Sequence, residues 1–190
     1  MGNMIIVMGP KHAGKTSAGR VLADLLGTRF IDLDVWLEAR TGKPPRTLYR
    51  ESIGLFRQAE AASLHAALET GAGAVIAAGG GLIDNSRALA LLQGRESLTL
   101  VYLEISPETA WNRIAQNAAG ELPPFLDPGN PQEAHRLLHE RRAGAYKALA
   151  HLCISGESRT PQAVGRAIEE ALLNRGKSPT VNSLRGDRGA

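Results

Sequence analysis

The chain has 190 residues, of which 43% are hydrophobic and 22% are charged. This composition is typical of a folded globular protein, and it excludes an intrinsically disordered or collagen-like chain. No apolar stretch approaches the ~20 residues that span a bilayer, so we expect no membrane partner.

The formal net charge of +3 is concentrated near the end of the chain. Residues 175–190 contain four basic residues and one acidic residue, whereas residues 1–174 contain 18 of each kind. Gly, Ser, Pro and Asn make up much of the last segment, which is typical of a disordered tail. We therefore expect a single folded domain over residues 1–174, a disordered basic tail over residues 175–190, and no nucleic-acid partner.

Two features favour a cytoplasmic protein. A predicted strand at residues 4–8 leaves no room before it for a signal peptide. Cys153 is the single cysteine, so no internal disulfide can form, as is usual in a reducing compartment. Because Cys153 lies in an apolar run, we interpret it as a small buried residue.

Short apolar runs alternate with amphipathic stretches along the chain. The predicted strands cover residues 4–8, 29–32, 73–78, 98–103 and 151–154. The predicted helices cover residues 15–26, 34–40, 46–69, 84–92, 107–117, 131–148 and 161–174. This alternation predicts an α/β fold in three layers, in which a parallel sheet of about five strands has helices on both faces. Ligands bind such sheets at the carboxyl ends of the strands.

The segment that follows the first predicted strand is Gly-Pro-Lys-His-Ala-Gly-Lys-Thr, at residues 9–16. It matches the phosphate-loop (P-loop) pattern G-x-x-x-x-G-K-[ST], and a predicted helix follows it. Glycines let the backbone turn so that N–H groups face phosphate oxygens, and the helix N-terminus adds positive potential. We therefore predict an ATP site in which Lys15 contacts the β- and γ-phosphates and the Thr16 hydroxyl binds Mg²⁺.

The candidate phosphate-binding residues are those of the loop and the start of the helix: Gly9, Lys11, His12, Ala13, Gly14, Lys15, Thr16 and Ser17. His12 stands where many such loops carry Gly, and we interpret it as a loop residue rather than a catalytic one. Lys11 adds a second positive charge near the phosphates.

Two carboxylates follow the second predicted strand, in Phe-Ile-Asp-Leu-Asp at residues 30–34. On an extended segment, residues i and i+2 point the same way, so Asp32 and Asp34 can both face the phosphates. One would hold Mg²⁺ through water, and the other would accept a proton from an acceptor hydroxyl. The alternative is a helix N-cap and a surface acid.

Further groups that could hold a small acidic ligand lie in three later segments. Arg57 and Glu60 share one helical face, although they could instead form a solvated ion pair. Residues 79–81 are a triple glycine, where bare backbone could approach a ligand. Arg142, with Arg141 beside it, lies on a late predicted helix. Two guanidinium groups would suit a carboxylate, since each can pair with it through two hydrogen bonds.

The segment at residues 117–131 is rich in Gly and Pro and has little helical pattern. A connection of this length in a compact domain is often a lid over a site. His135 and His139 have a spacing that can bind a metal, but no third ligand is near, so we interpret them as a solvated helix face. Trp36 and Trp111 are interpreted as packing residues.

With these motifs in this order, the chain resembles the shikimate kinases from about residue 4 to about residue 168. That family combines the phosphate loop, a Phe-x-Asp-x-Asp segment, a Phe-Arg-x-x-Glu helix, a triple glycine, a lid, and an Arg before a Tyr. The resemblance implies a P-loop kinase with mobile substrate and lid regions. Such an enzyme transfers the γ-phosphoryl group of ATP to shikimate, giving shikimate 3-phosphate for aromatic amino-acid biosynthesis.

The resemblance also implies roles for the matched residues. Lys15 would bind phosphate, Thr16 the metal, and Asp32 would help through the metal's waters. Asp34 would bind the ring hydroxyls and sit near the attacking one, which makes the catalytic set Lys15, Asp34 and Asp32. Arg113 would stack near the adenine. The substrate-binding set implied is Asp34, Arg57, Gly79, Gly80, Gly81 and Arg142.

The chain departs from the family pattern in two places. The family lid carries an Arg before a Pro, and that Arg contacts the transferring phosphate, whereas this chain has no Lys or Arg between Arg113 and Arg136. Because such a cation stabilises the transition state, we hypothesise that Lys11 replaces it. Residues 52–53 are Ser-Ile where the family often has Gly-Glu, which we expect to change the start of a helix more than the chemistry.

Two alternatives to a shikimate kinase stay open. The first is a related kinase that acts on another polyol or sugar acid, such as gluconate. The second is a nucleotide-binding regulator with little transferase activity, which the lid without positive charge leaves room for. For a shikimate kinase, we expect ATP and a small carboxylated polyol, shikimate, as partners, Mg²⁺ as cofactor, and a monomer.

Overall fold

The computed structural model describes residues 3–70, 73–95, 97–117, 126 and 129–177. The predicted lid at residues 117–131 lies largely outside these ranges, as does most of the predicted tail. The last helix continues to Lys177, three residues beyond the predicted end of the folded domain at residue 174.

Five strands form one sheet, and every neighbouring pair is parallel. They are β1 (Met4–Met8), β2 (Arg29–Asp32), β3 (Ala74–Ala77), β4 (Leu98–Glu104) and β5 (Leu152–Ser155). The predicted strands are confirmed to within one residue at each end. The order across the sheet is β2-β3-β1-β4-β5. In the central register, Met4 of β1 pairs with Ala74 on one side and with Leu98 on the other.

Eight α-helices lie within the described ranges, together with one short 3₁₀ turn at Leu82–Asp84. The helices are α1 (Lys15–Leu25), α2 (Leu33–Thr41), α3 (Pro45–Glu51), α4 (Ile53–Leu68), α5 (Ser86–Leu92), α6 (Pro107–Asn117), α7 (Pro131–Leu149) and α8 (Pro161–Lys177). Helices α1, α6 and α8 cover one face of the sheet, and α4, α5 and α7 pack against the other. The three-layer α/β fold is therefore confirmed.

Strand β1 reads as a continuous apolar run because it is buried on both faces. Met4, Ile6 and Met8 contribute to the core beneath α4, α5 and α7. Ile5 and Val7 contribute to the core beneath α1, α6 and α8. This central burial fixes the carboxyl end of β1, from which the phosphate loop emerges.

The single helix predicted over residues 46–69 is wrong, since the structure has two helices there, α3 and α4. Ser52 separates them with an extended backbone (φ −163°, ψ 120°), and its hydroxyl accepts a hydrogen bond from Leu55 N. Serine is favoured at this capping position because its side chain satisfies a free N–H of the first turn. The break brings the rings of Tyr49 and Phe56 together edge to face, with centroids 5.5 Å apart.

The prediction that Cys153 is buried is also wrong, because its side chain is exposed. Strand β5 forms the edge of the sheet, and its residues alternate between partly buried and exposed. Leu152 and Ile154 pack against the core, so the residue between them points outward. A run of three apolar residues contains no signal for that alternation.

The interpretation of His135 and His139 as a solvated face is wrong as well, since they are only 5% and 6% exposed. Their rings lie 5.7 Å apart between α6 and α7, and the ring of Trp111 lies 5.7 Å from that of His135. His139 Nε2 lies 3.0 Å from Ile105 O, so it carries the proton in this contact. Trp36 packs against the main core, as predicted.

Within the part of the chain that the structure describes, no helix is both long and apolar enough to cross a membrane. In the same residues, no three His, Cys, Asp or Glu side chains are grouped so that they could hold a metal ion by themselves.

Candidate active site

A cavity of about 460 Å³ lies where the loops leave the carboxyl ends of β1, β2 and β3. Of the predicted site residues, Gly9 and Ala13 do not line it, although both belong to the phosphate loop. The remaining predicted residues that line it are Lys11, His12, Gly14, Lys15, Thr16, Ser17, Asp32, Asp34, Arg57, Gly79, Gly80, Gly81, Arg113 and Arg142.

The phosphate loop ends in the N-terminus of α1. Gly14 is the residue before the helix and has a φ of 92°, which side chains disfavour, so glycine suits this turn. Lys15 follows it and is only 9% exposed, with its Nζ donating a 2.7 Å hydrogen bond to Pro10 O. Burial lowers the pKa of Lys15 to about 8, although Asp34 and Asp32 favour its charged form. A bound phosphate group would interact with the buried ammonium in place of the water that it has lost.

Asp32 connects the phosphate loop with the start of α2. Its Oδ2 accepts a 2.8 Å hydrogen bond from Thr16 Oγ1, and its Oδ1 accepts a 3.0 Å hydrogen bond from Asp34 N. The carboxylate is therefore a helix N-cap that also faces the phosphate loop, so the two alternative interpretations of Asp32 apply together. The oxygens of Thr16 and Asp32 are ligands of the kind that Mg²⁺ prefers.

Asp34 reaches the cavity by a different route from the one predicted. The strand ends at Asp32, and Asp34 lies in the first turn of α2, so the argument from strand alternation is wrong. The helix nevertheless directs its carboxylate into the cavity. The cavity walls displace water, which raises the pKa of Asp34, and Lys15 opposes that shift.

A second carboxylate lies close to the first at Gly79. A Cβ at Gly79 would lie 2.9 Å from Glu60 Oε1 and 3.3 Å from Asp34 Oδ1. Glu60 is 3% exposed, and its Oε2 accepts a 2.8 Å hydrogen bond from Asn85 Nδ2. Its Oε1 has no hydrogen-bond partner in the described residues, and burial raises its pKa. These oxygens could accept hydrogen bonds from the hydroxyl groups of a ligand.

Arg57 and Arg142 approach each other from α4 and α7, and Asp84 holds both. Asp84 Oδ2 accepts hydrogen bonds from Arg142 Nη2 at 2.6 Å and Nε at 2.9 Å, and it lies 3.8 Å from Arg57 Nη2. Arg57 Nη1 also donates to Gly81 O at 2.8 Å. The side chain of Arg142 is 13% exposed, whereas that of Arg141 is 63% exposed. Arg142 is thus the member of the pair that lines the cavity.

Gly80 joins this pair to the phosphate loop. Its carbonyl oxygen accepts hydrogen bonds from Arg142 Nη1 and from Tyr146 Oη, each at 3.1 Å. A Cβ at Gly80 would lie 2.9 Å from Lys11 N and 3.3 Å from Lys11 Cα. Only glycine allows so close an approach of the two backbones.

Arg113 lines the cavity from α6. Its guanidinium donates to His12 O at 3.1 Å and to Gly156 O at 3.4 Å. It therefore connects the phosphate loop with the segment that follows β5. Burial lowers the pKa of His12, and Lys11, Lys15 and Arg113 add to that effect. The stacking of Arg113 on adenine stays a prediction.

Sequence reasoning missed several residues of the site. Asp84 and Asn85, which hold the arginines and Glu60, gave no signal beyond their place shortly after the triple glycine. Phe56 and Glu60 belong to the Phe-Arg-x-x-Glu motif, which does not by itself assign them a role in the site. The further residues that line the cavity are Pro45, Arg46, Tyr49, Phe56, Glu60 and Ala78.

Comparisons with known proteins agree with this geometry. A family model described as shikimate kinase matches residues 11–173. The shikimate kinase of Moorella thermoacetica is 36% identical over 169 residues, which cover 88% of this chain and 93% of that protein. The shikimate kinase of Chromohalobacter salexigens is 37% identical over 164 residues, which cover 84% of this chain and 86% of that protein.

A solved structure of the shikimate kinase from Acinetobacter baumannii in complex with shikimate is also similar. Its TM-score is 0.81 at 29% identity, and the match covers 92% of this chain and 95% of that chain. The chain that forms this cavity, with its phosphate loop and its pair of arginines, therefore belongs to the shikimate kinase family.

Proposed function

We propose that this protein transfers the γ-phosphoryl group of ATP to a ring hydroxyl of shikimate, giving shikimate 3-phosphate and ADP. The observation that carries the proposal is the single cavity that the phosphate loop, Asp34 and the pair of Arg57 and Arg142 line together. The relatives named above are shikimate kinases, and one of them binds shikimate in its solved structure.

The nucleotide would occupy the end of the cavity next to the phosphate loop. The N–H groups at the start of α1 and the ammonium of Lys15 would bind the β- and γ-phosphates. Thr16 Oγ1 and the Asp32 carboxylate fit Mg²⁺ because their oxygens already converge. Magnesium bound there with phosphate oxygens would neutralise part of the phosphate charge.

The acceptor would occupy the other end. Its carboxylate would bind the guanidinium groups of Arg57 and Arg142, which Asp84 holds in place. Its hydroxyl groups would donate to Asp34 and to Glu60 Oε1, the buried oxygen without a hydrogen-bond partner in the described ranges. This arrangement would hold one hydroxyl near Asp34 and in line with the γ-phosphorus.

The transfer step balances as a single displacement. The hydroxyl oxygen forms a bond to the γ-phosphorus while the bond from that phosphorus to the bridging β,γ oxygen breaks, and ADP leaves with its electron pair. The hydroxyl proton passes to a carboxylate oxygen of Asp34. Because Asp34 must be ionised to accept it, activity would fall as the pH drops through its raised pKa.

The direct test is ADP release from MgATP with and without shikimate. Gluconate, quinate and simple polyols are tested separately as alternative acceptors. We expect release that depends on shikimate, together with a product whose mass equals that of shikimate plus one phosphoryl group. Release that depends on a different acceptor would reassign the substrate. ATP binding without any acceptor-dependent release would contradict kinase activity and favour a nucleotide-binding regulator.

We also propose that the protein acts as a monomer, because every group to which the proposed reaction assigns a role already lines this cavity, so no residue of a second copy is required. Light scattering during size-exclusion chromatography would measure its mass in solution. A dimer that persists at assay concentrations would contradict this part of the proposal.

A further inference from the structure

Positive charge is abundant in the cavity, and most of it is already engaged. Lys15 donates to Pro10 O, Arg57 to Gly81 O and Arg113 to His12 O. Arg142 pairs with Asp84, and Arg46 also interacts with another group of the protein. The cationic side chains that line the cavity are Lys11, Lys15, Arg46, Arg57, Arg113 and Arg142.

Lys11 differs from the other five. Within the described residues it donates no side-chain hydrogen bond and forms no ion pair, although its side chain lines the cavity. Loss of hydration lowers its pKa, repulsion by Arg46 adds to that effect, and attraction by Asp34 opposes it. Lys11 as a whole is exposed, so its ammonium can turn towards an anion that enters the cavity, and the partial loss of hydration favours that contact.

The backbone places Lys11 where the phosphate loop meets the triple glycine. Its N and Cα are packed against Gly80, where even a methyl group would be too close. Asp34 is near enough to favour the charge of Lys11, and Lys11 is near enough to disfavour that of Lys15. Lys11 therefore lies near the place where the γ-phosphoryl group would meet the acceptor hydroxyl.

The sequence gives a reason to look for a cation at this place. The segment between Arg113 and Arg136 contains no Lys or Arg, so the connection from α6 to α7 can bring no positive charge to the cavity. Phosphoryl transfer places negative charge on the three equatorial oxygens of the moving group, and an additional cation on them strongly favours the reaction.

We propose that Lys11 is a catalytic residue whose ammonium contacts the equatorial oxygens of the γ-phosphoryl group during transfer. The inference rests on the proposed kinase activity. Lys15 stays at the bridge between the β- and γ-phosphates, while Lys11 neutralises charge on the side that faces the acceptor. The proton that leaves the hydroxyl still goes to Asp34, and Lys11 remains protonated throughout.

The first experiment compares Lys11→Met, Lys11→Arg and the matched control Lys147→Met, which alters a surface lysine paired with Glu104. We expect Lys11→Met to lower kcat with shikimate by about 100-fold, which is the usual effect of removing one such group. Lys11→Arg keeps the charge and should retain most of the activity, and Lys147→Met should match the wild type. Thermal unfolding of each variant checks that the fold is intact.

The second experiment does not depend on the acceptor. Binding of MgADP and of a non-hydrolysable MgATP analogue is measured for the wild type and for Lys11→Met. We expect the Kd of the variant for the analogue to be about tenfold higher than that of the wild type. The Kd for MgADP should be unchanged, because only the triphosphate reaches Lys11.

The two experiments separate the inference from the proposed activity. If the wild type does not phosphorylate shikimate, the proposed activity fails, and the ratio of the two nucleotide affinities still decides the role of Lys11. A variant with wild-type kcat and a wild-type affinity ratio would overturn the inference. An equal loss of affinity for both nucleotides would also overturn it, because it would show that Lys11 only shapes the loop.

Discussion

At Gly79, carboxylates from two helices reach the same point of the cavity. Asp34 Oδ1 and Glu60 Oε1 both lie within 3.3 Å of where a Cβ of residue 79 would stand. Burial raises the pKa of each group, repulsion by Asp32 adds to the rise for Asp34, and repulsion by Asp34 adds to the rise for Glu60. The cations Lys15, Lys11 and Arg57 oppose these shifts. The ionisation states of Asp34 and Glu60 therefore determine whether this site can accept a proton or hydrogen bonds from a ligand.

Asp34→Asn removes the proposed proton acceptor without changing the shape of the side chain. We expect kcat to fall by about 100-fold or more, which is the usual contribution of a general base. Shikimate should still bind, because the amide can make hydrogen bonds to its hydroxyls. The matched control is Asp24→Asn, at an exposed position on α1. A kcat near that of the wild type would assign the proton to another group.

The lowered pKa of Lys15 predicts the alkaline limb of the pH profile. In the free protein Lys15 loses its charge as the pH rises through about 8, so kcat/KM for MgATP should fall above that pH. Steady-state kinetics at low MgATP measure this limb. Lys15→Arg keeps its charge, so whatever activity it retains should not decline there. A limb near the ordinary lysine pKa of about 10.4 would contradict the prediction.

Among the helices, α7 connects most of the features described. His135, His139, Arg142 and Tyr146 follow one another at spacings of four, three and four residues, so they share one face. That face contacts α6, the 3₁₀ turn and Gly80. Tyr146 also stacks on Tyr102 of β4, with ring centroids 5.2 Å apart. The helix that presents Arg142 to the cavity is thus positioned by two buried histidines at one end and a tyrosine pair at the other.

The buried histidines predict a loss of stability in acid. Burial lowers the pKa of His135 from 6.5 to about 4 and also lowers that of His139. The neutral form is favoured in the folded state, so this stabilisation is complete above pH 6.5 and is lost as the pH falls towards 4. We expect urea unfolding to report about 2 kcal/mol less stability at pH 5 than at pH 7 from His135 alone.

Two variants isolate that contribution. His135→Leu cannot be protonated, so its stability should depend less on pH than that of the wild type over this range. His65→Gln, at an exposed position on α4, should leave the dependence unchanged. Equal dependence in all three proteins would show that the histidine pair does not cause the acid sensitivity.

Across the whole molecule, Asp84 fixes the relation of α4 to α7. It accepts from Arg142 and lies within 3.8 Å of Arg57, and all three side chains are mostly buried. Asp84→Asn would remove the carboxylate that the two guanidinium groups share, and Glu60, 3.9 Å from Arg57 Nη1, would remain as a counter-charge for Arg57. The acceptor end of the cavity would then lose its shape, while the phosphate loop would be little affected.

We expect Asp84→Asn to raise KM for shikimate far more than KM for MgATP, and to lower the free energy of unfolding by about 2 kcal/mol. Glu104→Gln is the matched control, because it removes the partner of an exposed lysine and should cost less than about 1 kcal/mol. Equal effects of the two substitutions on stability would contradict the role given to Asp84.

The parts of this site that are formed by residues adjacent in the chain could be predicted from the sequence. The phosphate loop and the triple glycine could be predicted because their chemistry requires consecutive residues next to a strand. Asp84 could not, since its partners lie 27 and 58 positions away in the chain and only packing brings them together. The burial of His135 and the break at Ser52 were likewise missed, because each depends on a neighbouring helix or on one capping hydrogen bond.

The position of Gly80 has a thermodynamic consequence for the coupling between the two ends of the cavity. One carbonyl is bound by the acceptor-side Arg142, and the same residue touches the loop that carries Lys11. A carboxylate that draws Arg142 towards itself therefore acts on the nucleotide loop through a single rigid contact. Linkage requires the effect to be mutual, so ATP must change the affinity for the acceptor by the same factor that the acceptor changes the affinity for ATP.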